Sequence, residues 1–173
     1  MPDSQQPEAG QERLIGALLH ARAERVVDVG AGPGKWGRIL RGLVPIDAIE
    51  IWQPYVERYS LPERYDQVHV IDARLFGQWK AYDAAILGDV LEHMPKLDAR
   101  LLVSRMLQEG LTLFLSIPTT DCPQAGEPFG NPYEEHVAQW SHEELVADGW
   151  RELHRGLVPS GLATVGTYWR GPL

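Results

Sequence analysis

The chain has 173 residues, 44% of them hydrophobic, and a formal net charge of −8. That is enough apolar material for one domain with a real core, and it argues against disorder; the acidity excludes a broad basic face for nucleic acid. The single cysteine, Cys122, excludes an intrachain disulfide and a multi-cysteine zinc cluster, and no apolar run is long enough for a bilayer, so a soluble cytoplasmic protein without a membrane partner is expected.

Residues Met1 to Gly10 are polar, carry two prolines and lack a hydrophobic signal core. They are expected to form a disordered tail ahead of a single domain spanning 11–173. Gln11 to Ala23 reads as a helix, with Leu14, Ile15, Leu18 and Leu19 on one side. Val26, Val27 and Val29 then form a short buried strand that Gly30 ends. Asp28 is the anomaly within it, because a carboxylate among valines is costly unless it is paired or hydrogen-bonded. Gly30, Gly32 and Gly34 alternate, which lets the backbone turn tightly and approach a ligand closely. A helix from Lys35 to Leu40 follows. A strand, a glycine turn and a helix N-terminus make a site for a nucleotide-like ligand.

The string Asp28-Val29-Gly30-Ala31-Gly32-Pro33-Gly34 resembles motif I of the class I S-adenosylmethionine-dependent methyltransferases. The resemblance implies that Gly30, Ala31, Gly32 and Gly34 wrap the methionine half of the cofactor. It also implies that Asp28 helps hold the cofactor's ammonium end through the loop or through water. Gly32 to Gly37 fits G-x-G-x-x-G as well, which keeps a dinucleotide site open.

The second strand, Ile46 to Glu50, ends in an acid placed to accept from both ribose hydroxyls. Ile51 and Trp52 follow and are expected to pack on an adenine face. A short helix, Pro54 to Tyr59, leads to a third strand, Gln67 to Ile71, ending at Asp72 and Ala73. In the family this position binds the adenine amino group: Asp72 would accept from it while the Ala73 N–H donates to the ring. The rival role for Asp72 is N-cap of a helix from Ala73 to Trp79. The fourth strand, Tyr82 to Gly88, runs into Asp89-Val90-Leu91-Glu92-His93. Tyr-Asp opening a strand and Asp-Val-Leu-Glu-His closing it look like the fourth-strand motif of small bacterial members of this family. That implies cofactor contacts from Gly88, Asp89 and Val90.

Asp98 is expected to cap the next helix, which Gly110 stops, and Leu111 to Ile117 forms a fifth strand. Pro118 to Gln139 is long and rich in Pro and Gly, as expected of a lid or substrate loop. Ser141 and Glu144 read as a capping box for a helix ending at Asp148 and Gly149. Trp150 to Val158 and Leu162 to Trp169 close the chain as two strands. From Val26 to His142 the resemblance implies an α/β fold: a doubly wound, mostly parallel seven-stranded sheet, Rossmann-like, with the last strand antiparallel.

The implied activity is methyl transfer from S-adenosyl-L-methionine to a small-molecule or glycan acceptor, with oxygen as the expected acceptor atom. A hydroxyl acceptor needs a base. His136, in the long loop, is the leading candidate, because an imidazole can take up a proton, and His93 competes with it. Trp140 is a candidate apolar wall. Asn131-Pro132-Tyr133 is similar to an amino-methyltransferase string but stands in the wrong place for it. Glu134, Glu135, His136 and His142 show no compact ligand spacing, so no metal is expected, although Asp89 and Glu92 could join such a site. Two other readings stay open: a domain that binds the cofactor without catalysis, and an NAD-dependent oxidoreductase.

Overall fold

Seven strands form one sheet in the order β3-β2-β1-β4-β5-β7-β6. They are β1 (Val26–Val29), β2 (Ile46–Glu50), β3 (Val68–Val70), β4 (Ala84–Gly88), β5 (Thr112–Pro118), β6 (Arg151–Leu157) and β7 (Thr164–Arg170). The computed structural model describes residues 8–124 and 130–172. The first five strands are parallel, and β7 runs antiparallel to both β5 and β6. Every residue of β1 and β2 is buried, the carboxylates Asp28, Asp47 and Glu50 included, because helices cover both faces of the sheet.

Alternate residues of the strands supply the two layers of core. Val27, Val29, Ala85 and Leu87 pack on one face against Ala99, Leu102, Val103 and Met106 of α4 (Lys96–Gln108). Val26, Ala84, Ile86 and Phe114 pack on the other. That face is covered by Leu14 and Leu18 of α1 (Glu8–His20) and by Trp36 and Leu40 of α2 (Lys35–Leu40). Two further helices, α3 (Gln53–Arg58) and α5 (His142–Ala147), complete the set. No helix among the described residues is long and apolar enough to cross a membrane.

Several boundaries differ from the sequence reading. Helix α1 starts at Glu8, so residues 8–10 belong to the folded domain and not to a tail; residues 1–7 lie outside the described chain. Gly10 is buried there, and an added Cβ would meet Thr167 Oγ1 at 2.7 Å. The expected helix from Ala73 to Trp79 is two single 3₁₀ turns, Ala73–Leu75 and Trp79–Ala81. Asp98 sits inside the first turn of α4, after Pro95 at the cap, and pairs with Arg74 at 2.9 Å. The capping box of α5 is present as expected, with Ser141 Oγ accepting from Glu144 N–H and the Glu144 carboxylate accepting from Ser141 N–H.

Candidate functional site

The C-terminal ends of β1, β2 and β4 open into a cavity of about 470 Å³, a size suited to a small ligand. Its floor is the glycine loop. The N–H groups of Gly30 and Ala31 both donate to the Ile49 carbonyl, at 2.8 and 3.1 Å, and tie the loop to β2. Gly30 has φ +70°, and a Cβ there would meet Val90 Cγ2 at 2.6 Å, so only glycine fits. Glu50 reaches across to the same loop: its carboxylate accepts from Gly32 N–H at 2.8 Å and from Trp52 N–H at 2.9 Å. Burial pushes its pKa up, and these two N–H groups counter that. Each carboxylate oxygen keeps a further lone pair for a ligand.

Asp28 lies beneath the loop and does not line the cavity. Its Oδ2 accepts from the Tyr65 hydroxyl at 2.6 Å, and that hydroxyl in turn accepts from Gly37 N–H in α2 at 3.1 Å. Burial raises the Asp28 pKa to about 7, against the Tyr65 hydrogen bond, which lowers it. Gly34, left-handed at the head of α2, is also outside the cavity wall and packs on Leu61 and Arg64.

Asp89 follows β4 in a left-handed conformation, φ 56°, with its N–H donating to the Ser116 carbonyl. For a non-glycine residue this is a strained turn, of the kind found at functional sites. It redirects the chain into the 3₁₀ turn Leu91–His93, which brings Glu92 and His93 to the cavity wall. Burial holds the Asp89 carboxyl up at about 6. Glu92 is pushed up further, by burial first and then by the Asp89 charge. His93 is shifted down by burial and by the neighbouring His136.

The long loop supplies the opposite wall. The N–H groups of Val137 and Ala138 both donate to the Glu92 carbonyl, at 2.9 and 3.0 Å, and Trp140 Nε1 donates to the Leu91 carbonyl. These bonds set His136 against His93, with ring centroids 4.9 Å apart in an edge-to-face contact. Asn131 is buried, and its side-chain oxygen accepts from Tyr133 N–H. Residues 125–129 of the expected lid lie outside the described chain.

The fold therefore gathers Gly30, Ala31, Gly32, Glu50, Ile51, Asp72, Ala73, Gly88, Asp89, Val90, His93 and His136 around one cavity. Trp52 is not on its wall. The Trp52 ring packs edge-on against Tyr55, centroids 4.6 Å apart, and Tyr55 and Tyr59 line the cavity instead. Their four-residue spacing on α3 puts both on one face, and that was the available signal. Asp72 caps its 3₁₀ turn, accepting from Arg74 N–H at 2.9 Å, and is gripped by the Arg74 guanidinium, which lowers its pKa. Glu92, read from the sequence only as a residue that could join a metal site, lines the cavity, and so does Trp36, which sequence reasoning did not assign to the site.

No family model matches the sequence, and no curated protein matches it. Solved structures do. The 1,6-didemethyltoxoflavin-N1-methyltransferase of Burkholderia thailandensis, with 1,6-didemethyltoxoflavin and S-adenosylhomocysteine bound, is 19% identical. It aligns with 95% of this chain and 79% of its own, at TM-score 0.61. The N-methyltransferase NodS of Bradyrhizobium japonicum, in complex with S-adenosylhomocysteine, is 13% identical over 96% of this chain and 87% of its own, at TM-score 0.66. The magnesium protoporphyrin IX methyltransferase ChlM of Synechocystis, with S-adenosylmethionine bound, is 16% identical over 95% and 81%, at TM-score 0.60. The likeness is one of fold: this chain has the architecture of the class I S-adenosylmethionine-dependent methyltransferases.

Proposed function

We propose that the protein is a methyltransferase that moves a methyl group from S-adenosyl-L-methionine to a hydroxyl of a small-molecule or glycan acceptor. The observation that carries this reading is the continuity of the cavity. The glycine loop with Glu50, suited to a nucleoside and an amino-acid moiety, lines the same cavity as Glu92, His93 and His136. The solved structures of the same fold carry S-adenosylmethionine or S-adenosylhomocysteine, which supports this cofactor over NAD.

In this reading the Glu50 carboxylate accepts from the ribose hydroxyls, and the loop from Gly30 to Gly32 takes the methionine end. Tyr55, Ile51 and Ala73 enclose the adenine, with Asp72 at its edge. The cofactor supplies the activated methyl, and the protein supplies alignment, exclusion of water and activation of the nucleophile. His136, with His93 beside it, is assigned to that activation. With the cofactor bound, the acceptor hydroxyl would give its proton to the His136 imidazole and its oxygen would take the methyl group, the electron pair of the broken carbon–sulfur bond going to sulfur.

Calorimetry with S-adenosylhomocysteine and with NAD tests the cofactor, and a methyl-donor assay over alcohols, phenols and glycans tests the acceptor. Micromolar binding of S-adenosylhomocysteine, with NAD silent, is the expected result. Tight binding without transfer to any acceptor would favour a binding-only domain, and tight NAD binding would overturn the reading.

A further inference from the structure

Glu92 is an anomaly. Its side chain is 2% exposed, and neither carboxylate oxygen has a hydrogen-bond partner. A buried carboxylate without a partner is costly, and native sites keep one where something positive is to meet it. His93 and His136 stand beside it: one potential ligand atom from each of the three residues lies within 4.8 Å of the other two.

The main chain orients both rings. His93 Nδ1 is 3.1 Å from the Glu135 carbonyl, and His136 Nδ1 is 2.6 Å from the Cys122 carbonyl. A carbonyl only accepts, so each Nδ1 donates, and Nε2 is the ring nitrogen left for another partner. A hydrogen bond from the far ring nitrogen to a carbonyl is how metal-binding histidines are held. Both carbonyls belong to the long loop, and the Glu92 carbonyl anchors that loop through Val137 and Ala138.

We propose that Glu92, His93 and His136 bind one divalent transition-metal ion at the acceptor end of the cavity. Two imidazoles and one carboxylate suit manganese, cobalt, iron(II) or zinc, whereas magnesium and calcium prefer oxygen ligands throughout. Three protein ligands leave coordination positions open to the solvent-filled cavity, as in catalytic metal sites. Asp89, whose charge acts on Glu92, lines the same cavity and adds a second carboxylate nearby.

The role of the ion rests on the methyl-transfer reading. An acceptor hydroxyl coordinated in an open position has its pKa lowered toward neutrality. Its proton leaves to solvent, the oxygen takes the methyl group, and sulfur keeps the electron pair of the broken bond. The histidines then act as ligands, and the metal does the work of a base.

The test uses untagged full-length protein stripped with EDTA and dialysed. It is titrated by calorimetry with manganese, cobalt, zinc and magnesium chlorides, and cobalt loading is followed by visible absorption. One equivalent of cobalt, manganese or zinc is expected to bind, with magnesium at least 100-fold weaker. His136→Ala, on the surface loop, and Glu92→Gln, which preserves side-chain volume, should each weaken binding by at least 100-fold, with circular dichroism to check their fold. Should Glu92→Gln not fold, the loop variant decides. No binding below 1 mM by the wild type, or unchanged affinity in His136→Ala, overturns the site. Binding is read without cofactor or acceptor. Metal uptake without methyl transfer therefore keeps the site and removes the methyltransferase reading. Transfer at full rate by the stripped, metal-free protein does the reverse.

Discussion

The Tyr65 hydroxyl donates to Asp28 Oδ2 at 2.6 Å beneath the glycine loop and itself accepts from Gly37 N–H at 3.1 Å. The acid of the glycine motif thus acts on the cavity through a tyrosine and a helix amide, as a support for the loop. Gly37 fits this arrangement because a Cβ there would meet the Tyr65 ring at 2.6 Å. Tyr65→Phe removes one hydroxyl and leaves a buried carboxylate and a buried N–H unpaired. It should cost about 1–3 kcal/mol of stability, measured by urea unfolding. A loss within experimental error would mean that Asp28 and Gly37 find other partners.

The pH dependence of stability carries the signature of Asp28. Its carboxyl titrates near 7 in the fold, against about 4 in an unfolded chain. Between these values the folded chain holds a proton that the unfolded chain has released. The contribution of this group is therefore complete below about pH 4 and is lost as pH rises through about 7. Asparagine does not ionise, and its Oδ1 still accepts from Tyr65. The melting temperature of Asp28→Asn relative to wild type should rise between pH 5 and pH 8, without cofactor. Parallel curves would show that Asp28 is ionised throughout.

What was legible in the sequence followed the periodicity of local structure. The span of α2 and the ends of β1 and β2 are where the valine run, the glycines and Glu50 put them. The capping box of α5 needed only Ser141 and Glu144 three residues apart. What was not legible depends on tertiary contact. Asp28 gains its partner from Tyr65, a residue after α3 that no local pattern links to it. His136 meets His93 only because Val137 and Ala138 dock on the Glu92 carbonyl. Trp52, two residues after Glu50, is expected from the sequence to pack on an adenine face, but its ring packs on Tyr55, and Tyr55 lines the cavity wall.

Glu50 should carry much of the cofactor affinity. It is 4% exposed and already spends one hydrogen bond on the loop and one on Trp52 N–H. Glu50→Ala removes the acceptor proposed for the ribose hydroxyls and the bond to Gly32 N–H. The expected loss is about 1.5–3 kcal/mol, or about 10- to 150-fold in affinity for S-adenosylhomocysteine by calorimetry. Unchanged affinity would leave Glu50 as a support for the loop alone.

The loop after β5 should respond to ligand in parts. Val137 and Ala138 donate to the Glu92 carbonyl without any ligand, so their amides should exchange slowly in the free protein. Additional protection on binding of S-adenosylhomocysteine and acceptor should appear around Asn131 to His136, which face the cavity. Rapid exchange at Val137 and Ala138 in the free protein would show that the docked loop forms only with ligand. Hydrogen exchange resolved by mass spectrometry separates the two outcomes.

The last prediction concerns how the paired histidines work. Each imidazole donates from Nδ1 to a loop carbonyl, which leaves Nε2 for the acceptor side, and the rings touch edge to face. Neither takes part in the glycine loop or in the bonds that hold Glu50. His136→Ala and His93→Ala should therefore lower turnover by about 10²–10⁴-fold while S-adenosylhomocysteine affinity stays within about twofold. The pattern of losses separates three chemistries. Equal losses in both variants, recovered in neither by raising the pH, fit two ligands of one ion, since removing either breaks the same site. A loss confined to one variant, and partly recovered at high pH where the acceptor hydroxyl ionises unaided, assigns a free base to that ring. Full activity in both variants means that the acceptor atom needs no activation, as for a nitrogen or sulfur nucleophile, and removes oxygen from the proposal.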